Sequence, residues 1–150
     1  MEENMSLIEK NDFQVLRGGV PGNYEGCHDA ALEINDGVVV ASGNIVGLDA
    51  ATGKYDLVTL ADGAVVNKAM YMVIEGNSGN DSFSGVFTGK VAGLRGTFRV
   101  QTKQFNATGM AVGELVSVVA GKLEVNSAKP AVGEVLSYDA VSGIVTVDMF

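Results

Sequence analysis

Several residue types are scarce or missing in this chain of 150 residues, and each absence excludes a class of structure or site. There is one cysteine, so no disulfide can form within the chain, as is typical of proteins that mature in a reducing compartment. Tryptophan is absent and histidine occurs once, which argues against sugar stacking and histidine-based catalysis. No apolar run approaches the roughly 18 residues of a membrane span, so we expect no membrane contact.

Basic residues are also few, with 10 Lys and Arg against 18 Asp and Glu and a formal net charge of −8. The charges are scattered, and no basic stripe is available to neutralise phosphates. We therefore predict no direct binding to nucleic acid. The first 13 residues, MEENMSLIEKNDF, are acidic and lack an apolar core segment, so we expect a soluble protein without a secretory signal.

Glycine, by contrast, is abundant: there are 20 glycines against two prolines. Because a glycine inside a helix costs about 1 kcal/mol, this distribution predicts a chain that turns often. Alternating runs such as 97–105, with Phe98 and Val100 on one face, predict strands, and so does the segment 68–76. A helix would fit best over 64–75, but the Val and Tyr content favours a strand. The predicted fold is all-β, mainly antiparallel hairpins in a small sandwich, open barrel or β-tulip-like body, with an extended N-terminal arm.

One octapeptide is almost repeated, as AVGELVSV at 111–118 and AVGEVLSY at 131–138. Three longer segments share its pattern of a glycine, a polar residue, apolar residues and a glycine-containing turn, namely 43–58, 113–128 and 133–148. A second alternating run follows each turn, so we predict three β-hairpins.

The turns of these hairpins can also be predicted. Two of them run from Asp49 to Gly53 and from Asp139 to Gly143, which fits a type I turn closed by a residue with positive φ. The third is shortened to Ala120-Gly121, which predicts a two-residue loop.

The domain organisation follows from the glycine distribution. Residues 1–26 are predicted to be an N-terminal arm and glycine-rich linker, and residues 27–150 a single β-rich domain. Apolar residues on the polar arm would gain by lying in a partner's groove or by pairing with its sheet edge. The predicted contact residues are Met5, Leu7, Ile8 and Phe13. The alternative is a disordered tail.

Two constellations resemble chemical sites. Cys27, His28 and Asp29 are consecutive, but neighbours on an extended chain point to opposite faces, so we predict no catalytic role. The segment 76–84, GNSGNDSFS, fits a calcium-binding nonapeptide at every defined position but one, and its weak candidate ligands are Asn77, Asn80 and Asp81. Such motifs act in stacked copies and only one is present, so a polar loop is favoured. We predict no catalytic residue, no cofactor and no metal.

Three stretches carry a family resemblance: AMYMVIEGN at 69–77, SGVFTGKVAGLRGTFRVQTKQF at 84–105, and the two C-terminal hairpins that begin at Ala111. In them the chain resembles small virion structural proteins of tailed bacteriophages, in particular capsid decoration (cement) proteins. The resemblance covers about residues 37–150, and its motifs are strand and turn signatures.

The resemblance implies a non-enzymatic protein of the capsid exterior, assembled in the host cytoplasm. It would bind the major capsid protein on the outer surface of the head and stabilise the capsid as homotrimers at three-fold and quasi-three-fold positions. Two alternatives stay open. One is another β-rich virion component, such as a tail-tube, head-fibre-base or joining protein. The other is a small hydrolase, or a calcium- or ligand-binding β-module that uses the loop from Asn77 to Asp81.

Overall fold

The computed structural model describes residues 13–17, 28–77 and 90–150, and all the regular structure in these ranges is β-strand. The predicted all-β class is confirmed. The strands are β1 (Phe13–Arg17), β2 (His28–Glu33), β3 (Ile45–Asp49), β4 (Lys54–Leu57), β5 (Met70–Glu75), β6 (Lys90–Leu94), β7 (Phe98–Thr102), β8 (Leu115–Val119), β9 (Lys122–Val125), β10 (Gly133–Asp139) and β11 (Ile144–Met149). No helix among these residues is long and apolar enough to cross a membrane.

The strands form two antiparallel sheets. The order is β1-β7-β11-β10-β8-β9 in the six-stranded sheet and β2-β6-β5-β3-β4 in the five-stranded one. Both sheets curl. In the five-stranded sheet, Ile34, just after β2, forms a parallel bridge with Tyr55 of β4. In the six-stranded sheet, Phe105, just after β7, forms the equivalent bridge with Leu123 of β9. Neither sheet closes into a full barrel within the described residues.

All three predicted hairpins are present, as β3–β4, β8–β9 and β10–β11. Their turns contain the expected positive φ values of 75° at Gly53, 78° at Gly121 and 71° at Gly143. Ala120 also has a positive φ, 51°, as a two-residue hairpin loop requires. The predicted strand within 64–75 starts only at Met70.

Strands β2–β6 and β7–β11 are two copies of one five-stranded unit. The orders β4-β3-β5-β6-β2 and β9-β8-β10-β11-β7 match strand for strand. A register irregularity follows Val73 in β5 and recurs after Val135 in β10. The entry hydrogen bond recurs as well: Gly43 N–H donates to Val73 O at 2.7 Å, and Gly113 N–H donates to Val135 O at 2.8 Å. We call β2–β6 the first unit and β7–β11 the second unit.

The two nearly identical octapeptides are therefore not the structural repeat. Residues 111–118 correspond to 41–48 of the first unit, whereas 131–138 lie mostly in β10, the equivalent of β5. Their shared glycines also serve different purposes. Gly113 has a φ of 87° at a turn, while Gly133 lies in a strand where a Cβ would come within 2.8 Å of Val147 Cγ1. Similar letters thus satisfy two separate local requirements.

The units stack with the back of the first against the interior of the second. One face of the first unit forms its own core, made of Leu32, Ile34, Val40, Val46, Val73 and Val91. The opposite, back face contributes Ile45, Met72 and Leu94 to the core of the second unit. That core also contains Phe98, Val100, Met110, Val116, Val118, Leu123, Val132, Val135, Val145, Val147 and Met149.

The back of the second unit carries charged residues at two of three positions that are apolar on the back of the first. Register places Leu115, Glu134 and Asp148 at the positions of Ile45, Met72 and Leu94. Leu115 and Glu134 are exposed, and Asp148 accepts hydrogen bonds from the Arg99 guanidinium at 2.7 and 3.1 Å. The charged residues on this face favour contact with solvent over a third layer.

The turn of the β8–β9 hairpin holds the units together. Gly121 O accepts a hydrogen bond from Ile45 N–H, and Gly121 N–H donates to Val58 O, both at 2.8 Å. Val58 N–H donates in turn to Ile45 O at 3.1 Å. The buried side chain of Asn44 donates to Gly121 O at 3.3 Å. These bonds connect the second unit to the start of β3 and to the chain that leaves β4.

The equivalence of the units supplies a matched test of the stacking. Met72→Ala should lower the free energy of unfolding by about 2–5 kcal/mol, because the Met72 side chain is buried between the units. Glu134→Ala, at the equivalent exposed position, should change it by no more than about 0.5 kcal/mol. Urea denaturation measures both values, and equal losses would contradict the proposed stacking.

A second matched pair tests the joint at Gly121. Gly53 is its equivalent in the first hairpin, with a similar φ, but a Cβ on Gly53 meets nothing within 4 Å. On Gly121 a Cβ would lie 2.5 Å from Leu57 Cδ2 and 3.3 Å from Ile45 O. Gly53→Ala should therefore cost about 1–2 kcal/mol for the positive φ alone. Gly121→Ala should cost clearly more in the same urea titration, whereas equal costs would show that the contact is not close.

Candidate interaction surface

Two cavities flank the segment 66–70, which leads into β5. The first, of about 310 Å³, lies at the junction of the units and is lined by Met70, Met72, Leu94, Phe98 and Met149. The second, of about 440 Å³, is lined on its apolar side by Leu48, Leu57, Val58, Leu60 and Val65. Val66 and Lys68 line both, so the two cavities adjoin along this segment, and we call them together the groove.

Large apolar side chains are exposed along this groove. Val65 is 79% exposed, Val66 40% and Phe150 62%. We call these three residues the apolar rim. Because exposed apolar side chains grouped around a concave surface mark interaction sites, the rim is the candidate functional feature of the described chain.

The second unit fixes the loop that carries Val65 and Val66. Gly63 N–H donates to Ala128 O at 2.8 Å. The Lys129 ammonium donates to Leu60 O at 2.6 Å and pairs with Asp62 at 3.2 Å. At the other side of the groove, Phe150 N–H donates to Val132 O at 2.9 Å. The apolar rim is therefore held in place before any partner binds.

The charged side chains at the first cavity are cations. Lys68 and Arg95 line it, and the Arg95 guanidinium lies 5.6 Å from the centre of the Tyr71 ring. No carboxylate, imidazole, thiol or hydroxyl side chain lines this cavity among the described residues. Its apolar lining and two cations suit an apolar segment that carries a carboxylate.

Carboxylates do line the second cavity, where Asn35 bridges them. Asn35 Nδ2 donates to Asp49 Oδ2 and to Asp56 Oδ2, both at 3.0 Å. Thr52 Oγ1 donates to Asn35 Oδ1 at 2.7 Å, which fixes the amide orientation. These groups stabilise the β3–β4 hairpin. In the described part of the chain, no three His, Cys, Asp or Glu residues cluster as metal ligands would.

The predicted ligands of the nonapeptide are placed as follows. Asn77 connects two segments: its Nδ2 donates to Val38 O at 2.8 Å, and its Oδ1 accepts from Val40 N–H at 2.9 Å. Asn80 and Asp81 lie outside the described residues. Of the three consecutive residues Cys27, His28 and Asp29, the last two begin β2. Cys27 lies outside the described residues.

The predicted arm contacts are only partly described. Met5, Leu7 and Ile8 lie outside the described residues. Phe13 begins β1, where it is paired with Thr102 of β7. The apolar rim was missed at the sequence level. Its signal was the Val-Val pair between turn residues and the terminal Phe, and neither can be told from core residues without the fold.

The β10–β11 hairpin presents another exposed apolar side chain, Val141, at its tip. Asp139 fixes this turn, because its Oδ1 accepts from Val141 N–H at 2.9 Å and from Ser142 N–H at 3.4 Å. The bond from Val141, followed by those from Ser142, lowers the pKa of Asp139 below its ordinary value of 3.8. The carboxylate form is therefore the one that stabilises the turn.

This shift predicts the pH dependence of Asp139→Asn. A carboxyl group whose pKa falls on folding stabilises the fold above its ordinary pKa, and this stabilisation is lost as the pH falls through the folded-state pKa. The variant should be less stable than the parent at pH 7. The difference should begin to shrink below about pH 4, where the unfolded parent binds protons, and should vanish once the folded parent has also lost the charge. Urea titrations from pH 7 to pH 2.5 measure it, and a difference independent of pH would contradict the assignment.

Comparison of the chain with protein-family models, with curated proteins and with solved structures gives no match.

Proposed function

We propose that the protein is a non-enzymatic virion structural protein that binds the outer surface of a tailed-phage head and stabilises the capsid, as trimers at three-fold and quasi-three-fold positions. One observation carries the proposal: the apolar rim exposes large side chains beside an open groove whose walls belong to both units. Val65, Val66 and Phe150 would be the anchors, and the major capsid protein would be the partner.

The energetics of the rim favour an assembly role. Complete burial of a Val or Phe side chain stabilises a complex by about 1.5–3 kcal/mol, so three neighbours can form a binding hot spot. The loop that carries two of them is already tied to Ala128 and Lys129, so little ordering entropy is lost on binding. In a trimer, three such rims would bind together, and avidity would add to the affinity of each.

The family resemblance and the first cavity of the groove share several strands. The segments that resemble decoration proteins include β5 and the whole of β7 to β11. Met70 and Met72 of β5, Phe98 of β7 and Met149 of β11 line the first cavity. Part of the proposed binding groove is therefore lined by strands that carry the resemblance.

Co-sedimentation with expanded, undecorated heads tests the proposal. Phe150→Asp and Val65→Asp should each weaken binding about tenfold or more, because a charge replaces a buried apolar anchor. Val141→Asp is the matched control, since Val141 is 98% exposed but lines neither cavity. It should bind as the parent does. Light scattering should give the mass of a trimer.

Other results would reject the proposal. If the parent fails to sediment with heads, head decoration is wrong. Rings with six-fold symmetry would indicate a tail-tube component instead. Equal effects of Val141→Asp and Phe150→Asp would show that the apolar rim is not the contact.

A further inference from the structure

The two units differ in the pairing of their first strand, which is β2 in the first unit and β7 in the second. In the second unit, β7 pairs with β11 on one side and with β1 on the other. Its equivalent in the first unit is β2, which pairs with β6 on one side. Among the described residues, no strand pairs with the other side of β2. The N-terminal strand thus completes one copy of a repeated edge.

The other outer edges of the two units are covered. Beside β4, Asn35 N–H donates to Tyr55 O at 2.9 Å. Beside β9, Asn106 N–H donates to Leu123 O at 2.8 Å, and Leu123 N–H donates to Gln104 O at 3.2 Å. An uncovered strand edge readily pairs with another chain, and proteins normally protect it. Within the repeated units, the edge of β2 stands out because its equivalent is filled.

The register of β1 shows how a strand would lie on this edge. β1 runs antiparallel to β7, with Phe13 opposite Thr102 and Val15 opposite Val100. Thr102 pairs with Val145 as Leu32 pairs with Val91, so Leu32 is its equivalent in β2. A strand placed on β2 in the manner of β1 would therefore begin opposite Leu32, and the residues before it would extend past Glu33.

A cleft of about 410 Å³ lies where those residues would arrive. Glu33, Asp36, Val38 and Val39 line it, and Val39 is 68% exposed. The Lys54 ammonium is shared by both carboxylates, at 3.6 Å from Glu33 and 3.3 Å from Asp36. Two carboxylates and one ammonium leave the cleft negative, so it favours a basic residue at the start of the incoming strand.

A second copy of this chain is an unfavourable donor of the strand that would pair with β2. Each chain has one β1, and it is engaged on β7, so moving it to the β2 edge of a neighbour would open one edge for each edge filled. A copy is also acidic, with a net charge of −8, and like charges disfavour that pairing.

We propose that the edge of β2 that no described strand covers binds an extended segment of a different protein, with a basic residue at its N-terminal end, which pairs antiparallel with β2 as β1 pairs with β7. This is strand addition, in which the backbone supplies affinity and the acidic cleft supplies selectivity. The inference does not depend on head binding and is tested without heads.

Two synthetic peptides serve as probes for the full chain. Both carry residues 12–18, DFQVLRG, preceded by two lysines in one and by two glutamates in the other. At about ten times the Kd of the lysine peptide, amide hydrogen exchange in His28–Glu33 should slow about tenfold. The amides of β9, whose edge is covered, should not change. The glutamate peptide should bind more weakly.

A charge reversal tests the cleft. The side chain of Asp36 is 96% exposed, so Asp36→Lys should leave the fold intact. It should weaken the lysine peptide and strengthen the glutamate peptide. Glu114→Lys changes the net charge equally at an exposed residue that does not line this cleft, and it should affect the two peptides far less.

Three results would overturn the proposal. The first is unchanged exchange in β2 with either peptide. The second is a change confined to the β1–β7 pair, which would mean that the peptide only displaces β1. The third is protection of β2 that grows with protein concentration in the absence of peptide, which would identify a second copy as the occupant.

Discussion

The turn at Gly121 is the contact on which the arrangement of the two units depends. Its carbonyl and amide bond to Ile45 and Val58 at 2.8 Å, so the hairpin tip of one unit completes the backbone bonding of the other. The bonds continue outward, because Leu60 N–H donates to Val118 O at 3.0 Å. The same stretch of chain then leads to the loop that carries the apolar rim. Because residue 121 is a glycine, without a side chain, the turn can approach the first unit closely. This close approach sets both the stacking of the units and the position of the candidate site.

The duplicated unit shows how one backbone plan serves two environments. The registers and the irregularity in the fourth strand of each unit are retained, because they depend on backbone pairing alone. The outward faces have diverged, with Met72 and Leu94 in one unit and Glu134 and Asp148 in the other. The first pair is buried, whereas Glu134 is exposed and Asp148 is half-buried and paired with Arg99, and this difference fixes the order of the layers. A stack of two layers follows from side chains that the backbone does not constrain.

The two proposed surfaces differ in physical character. The apolar rim offers fixed side chains over a groove edged by Lys68 and Arg95, and it suits an apolar partner that carries a carboxylate. The edge of β2 offers backbone groups beside an acidic cleft, and it suits a basic strand. Opposite preferences would let one molecule contact two different parts of a larger assembly without competition.

Local chemistry made much of the fold predictable. The hairpins could be predicted because an Asp at the start of a turn and a Gly at its end restrict the backbone within five residues, and Gly53, Gly121 and Gly143 do have positive φ. The strands were predictable because the alternation of apolar and polar residues is a property of each segment by itself. The candidate site was not, since Val65 and Phe150 resemble core residues until the fold leaves them exposed.

The sequence by itself therefore determined the β class, the three hairpins and their turns, since each depends on residues that are neighbours along the chain. Tertiary structure alone decided which segments are equivalent. Residues 41–48 of the first unit are equivalent to 111–118 of the second. The more similar octapeptide, 131–138, lies mostly in the strand next to 111–118 in the same sheet. It also decided which valines are buried and that, among the described strands, only β6 pairs with β2. The physical reason is that burial and edge pairing depend on what packs from distant parts of the chain, and local patterns do not encode that.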